Sequence, residues 1–292
     1  MILQIIVNGL TMGCVYALIA LGYSMVYGSL RFINFAHGDV YMWGACFGLI
    51  FARMGNIPFL AALILTMICT GLLGVTVEFL AYRRLRNVPR VVVTASALGA
   101  SIVLSNLARV IVGAETYSVP AFFETKYFTV GNLVLNSLQF VLLGCSIVLM
   151  LVLNWFISKS KYGKAIRATS ENQEVTNLMG INTNKIISVT FFIGSALAGA
   201  AGLLVGIYYD AVYSTMGYMA GMKAFTAAIL GGIGSIPGAM LGSMILGQIE
   251  SFGTTYISSS MGPAIAFAVL IIVLLVKPTG FFGAGDTHSN RV

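Results

Sequence analysis

Side chains able to do chemistry are sparse in this 292-residue chain, and their spacing narrows what they can do. His37 and Asp39 form an H-x-D pair within RFINFAHGDV, but no third ligand lies near enough to complete a metal site. The pair reads as part of a re-entrant or cytoplasmic turn, with Asn34 and Asp39 capping helix ends. Cys14, Cys46, Cys69 and Cys145 show neither a C-x-x-C pair nor metal-ligand spacing, and they read as small hydrophobes inside apolar segments. No G-x-x-x-x-G-K-[ST] phosphate loop occurs. The nearest glycine run, GGIGSIPG at 231–238, lacks the lysine. Gly231, Gly232, Gly234 and Pro237 cannot sustain a helix, and they read as a sharp break in a membrane element. No nucleophile has a plausible base, so covalent catalysis is unsupported and the chain reads as a non-enzyme.

The elements that carry these residues belong to a membrane. Hydrophobic residues make up 58% of the chain and charged residues only 9%, against about one quarter charged in soluble domains. Mean hydropathy is +0.94. Because a spanning helix needs about 20 mostly apolar residues, the sequence predicts spans near 5–27, 39–54, 58–81, 91–112, 137–157 and 186–209. A crowded region at 222–257 reads as two elements, and a last span falls near 261–276. The expectation is an all-α polytopic membrane protein with about eight or nine crossings, some broken or re-entrant, forming a single transmembrane domain over 1–292. The first segment has no basic leader and no clear cleavage site, and so it reads as a mature span.

Charge sets the orientation. Arg83, Arg84, Arg86 and Arg90 crowd one loop, Lys159, Lys161, Lys164, Arg167 and Lys185 another, and Lys277 and Arg291 follow the last span. All should face the cytoplasm of a cell inner membrane. The segment 113–136, with Glu115 and Glu124 against Lys126, should face outward. Topology and anionic inner-leaflet lipid account for the net charge of +7, so basicity gives no reason to invoke nucleic acid.

The long polar stretch at 159–185 holds a patterned segment. After Glu171, polar residues surround Val175, Leu178 and Met179, whose i, i+3, i+4 spacing makes one apolar stripe on a helix that Gly180 should stop. Ala165, Ile166 and Ala168 form a second short stripe. A helix this short needs a partner's groove. Immediately downstream, Gly194, Ala198, Gly202 and Gly206 recur every four residues, either as a packing face or as a lever attached to the polar segment. Gly9 with Gly13, and Gly238 with Gly242, repeat the spacing as packing only. Glu78 reads as paired or snorkelling, Lys223 and Asp210 as interfacial, and Glu250 as lying near one membrane face.

The glutamate-to-glycine spacing from Glu174 to Gly180 resembles the E-A-A-x-x-x-G loop of ABC import permeases, with Val175 and Thr176 in place of the two alanines. The segments NGLTMGCVYALIALGYSMVYG, INFAHGDVYMWG, YGKAIRATSENQEVTNLMGIN and MAGMKAFTAAILGGIGSIPGAMLGSMILGQIES are more specific. They resemble the permeases of high-affinity branched-chain amino acid ABC transporters, the LivH type of the LivH/LivM family, from Asn8 to the KPTGFFG end. The resemblance implies an ATPase-coupling loop containing Glu171, Glu174, Leu178, Met179 and Gly180. It also implies several partners: a second related permease subunit, two ABC ATPase subunits that bind ATP and magnesium, and an extracytoplasmic substrate-binding protein. No cofactor is expected in this chain. The implied substrates are leucine, isoleucine and valine, or a related small amino acid or amide. Thr94, Ser96, Ser101, Thr226 and Ser235 are candidate pathway residues. An ion-coupled secondary carrier is the alternative, although such a carrier should place acidic residues at mid-membrane, where this sequence offers at most Glu250.

Overall fold

A computed structural model describes residues 1–55, 57–86, 88–130 and 133–282; Arg291 and the last glycine of KPTGFFG lie outside the described residues. Eleven α-helices follow one another in these residues: α1 (Ile2–Leu30), α2 (His37–Arg53), α3 (Phe59–Val77), α4 (Arg90–Ile111), α5 (Ser137–Lys159), α6 (Lys161–Glu171), α7 (Gln173–Leu178), α8 (Thr183–Tyr209), α9 (Met216–Gly231), α10 (Ile236–Tyr256) and α11 (Gly262–Val276). A π-helical turn and a 3₁₀ turn carry α3 on to Leu85. Two antiparallel strands, β1 (Tyr127–Val130) and β2 (Leu133–Asn136), lie within 113–136, which the sequence read as a loop.

Among the described residues, six helices are long and apolar enough to cross a membrane, or seven if α9 and α10 together count as one bent span. The expected eight or nine crossings are therefore too many. Two short helices account for the difference. The 17 residues of α2 reach only about 26 Å at 1.5 Å per residue, and α9 turns through 118° into α10.

The short helices begin inside the protein. After α1 the chain reverses at Arg31, whose φ of 56° is left-handed. It then climbs back until His37 Nε2 lies 3.2 Å from the Ile19 carbonyl oxygen, a level about 16 Å inward from the end of α1. α9 mirrors this arrangement. After α8 the chain reverses at Asp210, with φ 51°, Val212 folds back onto Gly206, and Gly217 of the first α9 turn lies against Gly38. The packing is reciprocal: α1 contacts α8, α9 and α10, α8 contacts α1, α2 and α3, and α2 meets α9. Two units, α1–α2–α3 and α8–α9–α10, each with a long helix before a shorter one, thus pack against each other through one core. α4, α5 and α11 surround it with exposed faces carrying Val110, Ile102, Leu151 and Leu275.

Candidate functional site

At the end of the molecule where the basic loops gather, Asn172 ends α6 and caps α7, its Oδ1 accepting the Val175 N–H at 3.0 Å. α7 closes in a Schellman motif: the Gly180 N–H donates to Asn177 O (2.9 Å), the Ile181 N–H donates to Thr176 O (3.3 Å), and Gly180 sits at φ +80°. Leu178, Met179 and Val175 are 86%, 76% and 54% exposed. Thr176 turns inward. Glu171 and Glu174 lie exposed beside the stripe. The stripe of α6 is used differently, since Ala165 and Ile166 are buried against the body.

Both ends of this segment are tied to the transmembrane helices. Gln173 Nε2 donates to the Ser29 carbonyl at 2.7 Å, fastening α7 to the end of α1. Asn177 Oδ1 accepts from the Thr183 hydroxyl at 3.0 Å, and Asn182 caps α8 through the Lys185 N–H at 3.1 Å. Glu78, fully buried, pairs with Arg86 and accepts from Ser188 Oγ at 2.8 Å, while Arg86 also donates to Asn184. The partner of Glu78 is thus Arg86, not the nearer Arg83, and their network joins the end of α3 to the first turns of α8. Burial holds the Arg86 guanidinium below its ordinary range, against the opposing effect of Glu78.

A cleft of about 470 Å³ brings Glu171 and the broken element together, with Arg31, Ser170, Gly234 and Ser235 in its walls. Within the break, Gly232 and Gly234 have φ of 101° and 93°, Ser235 caps α10, and Pro237 occupies its first turn. The Leu230 and Gly231 carbonyls accept from the Phe281 and Phe282 N–H groups at 2.9 Å, so the C-terminal segment satisfies backbone that the break frees.

Gly194 faces Gly22 of α1, and a Cβ on Gly202 would strike the Tyr41 carbonyl of α2. Ala198 is fully buried, and Gly206 packs on Val212 and Ala45. Asn34 accepts from the Ala36 N–H and the Tyr82 hydroxyl, holding the re-entrant turn. No side chain caps α2, so the capping role expected of Asn34 and Asp39 does not occur; Asp39 lies within the first turn instead.

At the opposite end lies a site that sequence reasoning missed. A cavity of about 420 Å³ between α1, α2, α8 and α9 is lined mainly by Met12, Val15, Tyr41, Val205, Met216 and Met219, and its wall also includes Tyr16 and Lys223. Lys223 pairs with Glu250 of α10, and the Tyr16 hydroxyl donates to the second Glu250 oxygen at 2.8 Å. Both charged side chains are half-buried and answer each other rather than standing alone. The available signal was the cost of a cation and an anion inside apolar segments, but 27 residues of separation hid the pairing. Asp210 instead accepts from Ser118 and Val119 at the outer loop.

A core with one sharply bent helix pair, an exposed apolar segment at one end and a mostly apolar cavity at the other belongs to a polytopic membrane protein. The family model for the branched-chain amino acid transport system permease component matches residues 5–274, and the chain belongs to this family. It is 43% identical over 98% of its length, and 97% of the relative's, to the high-affinity branched-chain amino acid transport system permease protein BraD of Pseudomonas aeruginosa. To the corresponding permease protein LivH of Escherichia coli it is 42% identical, with the same coverage. A probable branched-chain amino acid transport permease protein of Methanocaldococcus jannaschii is 29% identical over 91% of this chain and 88% of that one.

Proposed function

We propose that this chain is one membrane-spanning half of an ATP-driven importer that carries leucine, isoleucine and valine across the inner membrane, and that α6 and α7 dock its ATPase. The observation that carries the reading is the exposed Val175, Leu178 and Met179 stripe, held on a capped helix and bonded at both ends to transmembrane helices. An apolar surface of this kind at the basic, cytoplasmic end fits a groove on a soluble subunit. The relatives' names support the substrate class. A second permease subunit, two ATPases binding ATP and magnesium, and an external binding protein complete the machine.

Movement at the dock would pass through Asn177 and Thr183 into α8, and through the Glu78–Arg86 network into α3. Leu178→Glu tests the dock. The ATPase should no longer co-purify and leucine uptake should cease while the permease still inserts; retained co-purification and uptake would refute the assignment.

A further inference from the structure

The first turn of α2 brings a carboxylate to the middle of the helix bundle. Asp39 is 5% exposed and stands two residues past His37, which meets Ile19 about 16 Å inward from the end of α1. Among the described residues, the ion pairs are Glu78 with Arg86 and Lys223 with Glu250, so no cation there answers Asp39. Its side-chain partner is Ser101 of α4, one hydroxyl for a group with about four acceptor sites. The positive end of the α2 dipole favours an anion in this turn. That stabilises the charge without using its capacity for a cation.

The carboxylate lines a pocket of about 40 Å³ between α1, α2, α4 and α9, with Tyr23 and Ser101 beside it. A water takes about 30 Å³ in the liquid, so the pocket admits an ammonium group but not a whole amino acid. Leu98 of α4 and Tyr218 of α9 also line it and are 47% and 64% exposed, so its mouth opens on the flank of the molecule between these helices. Tyr218 follows Gly217, which lies against Gly38, and is held at the same depth. Carboxylates within a membrane face a bundle interior or a water-filled path rather than lipid, and a phenol exposed to lipid belongs at the headgroup level. Both groups at this mouth therefore ask for a polar path outside it.

Resting on the reading of this chain as an amino-acid permease, we propose that the Asp39 pocket lies on the solute pathway and takes the ammonium group of the transported molecule. The ammonium donates to the Asp39 carboxylate and to Ser101 Oγ, whose own proton stays on the carboxylate. The rest of the solute extends through the mouth past Leu98 and Tyr218. The class recognised is a small solute bearing a primary ammonium, and the α4 and α9 flank is the side of the chain that meets the pathway.

The test uses the complete transporter in proteoliposomes, with leucine-loaded binding protein outside, and reads leucine imported per ATP hydrolysed. Asp39→Asn keeps the shape of the side chain without its charge. The ratio should fall about tenfold or more, with the detergent melt and binding-protein-stimulated ATP hydrolysis unchanged. Asp39→Glu keeps the charge, its added methylene fits the free space, and import should stay within severalfold of wild type. A wild-type ratio in Asp39→Asn, or equal loss in both variants, would reduce Asp39 to a packing residue and overturn the proposal. The mouth is tested without touching the carboxylate. Tyr218→Cys, in a background lacking the four native cysteines, should react during ATP turnover with an impermeant cationic methanethiosulfonate added outside. A thiol that never reacts faces lipid, and that result also overturns the proposal. Leucine uptake by the unmodified complex is measured alongside; its absence would sink the importer reading, while labelling at position 218 still reports on the pocket.

Discussion

Gly38 and Gly217 lie backbone to backbone where α2 and α9 meet: a Cβ built on either would come within 2.5 Å of the other's carbonyl oxygen. The first turns of α2 and α9 can approach this closely only because neither residue has a side chain. Gly38→Val should lower the detergent melting temperature and abolish uptake, by overpacking of about 1–3 kcal/mol. Gly144→Ala on α5, where a Cβ would meet nothing within 4 Å, should leave both unchanged. A wild-type melt for Gly38→Val would refute this role.

Gly180 has open space around it, so any substitution there acts through the backbone alone. At φ +80° a β-branched residue is strained by roughly 1–3 kcal/mol, whereas asparagine visits this region readily. Gly180→Val should lose ATPase co-purification, and Gly180→Asn should keep most of it. Equal behaviour of the two variants would exclude the helix stop as the reason.

Gly202→Leu would drive a side chain into the Tyr41 carbonyl, and loss of stable protein is expected. The adjacent Leu203 is 1% exposed and packs on Gly48, so Leu203→Ala should also cost about 2–5 kcal/mol. Ile102→Ala, on the exposed face of α4, is the proper control, with an unchanged thermal melt.

Glu78 is buried with Arg86 and Ser188 as partners. Glu78→Gln leaves the guanidinium without its counter-charge and should lower stability by several kcal/mol in the manner of a broken buried pair, about 3–5 at most. Uptake should fall more than ATPase co-purification does, because the dock itself is untouched. Loss of co-purification alone would remove the network from the coupling route.

Sidedness can be read by single-cysteine labelling in a background lacking the four native cysteines. An impermeant reagent applied from outside should modify position 124 and spare position 171, both of which are exposed in the fold. The reverse result would overturn the charge-based orientation.

The long crossings were legible because apolar runs of spanning length have few alternatives in hydrocarbon. The helix ending at Gly180 was legible because a three-residue stripe followed by glycine is a local signal. The depth at which α2 and α9 start was less so. RFINFAHGDV left a re-entrant and a cytoplasmic turn both open, 222–257 read as two crowded elements, and only contacts such as His37 to Ile19 place the first turns deep inside the protein. The crossing count erred for that reason.

By itself, the sequence determined the membrane class, the basic and acidic ends, the apolar stripe of Val175, Leu178 and Met179, the glycine break at 231–237 and the family motifs. Each rests on composition or on spacings of a few residues, which the chain expresses before it folds. Tertiary structure alone decided that Glu78 answers Arg86, that Lys223 in a cavity wall answers Glu250 of α10, and that α2 and α9 meet through Gly38 and Gly217. Those pairings join residues 8, 27 and 179 positions apart across breaks between elements, and no local periodicity encodes them. They exist because burying a charge or a bare backbone is costly unless the fold brings up its complement.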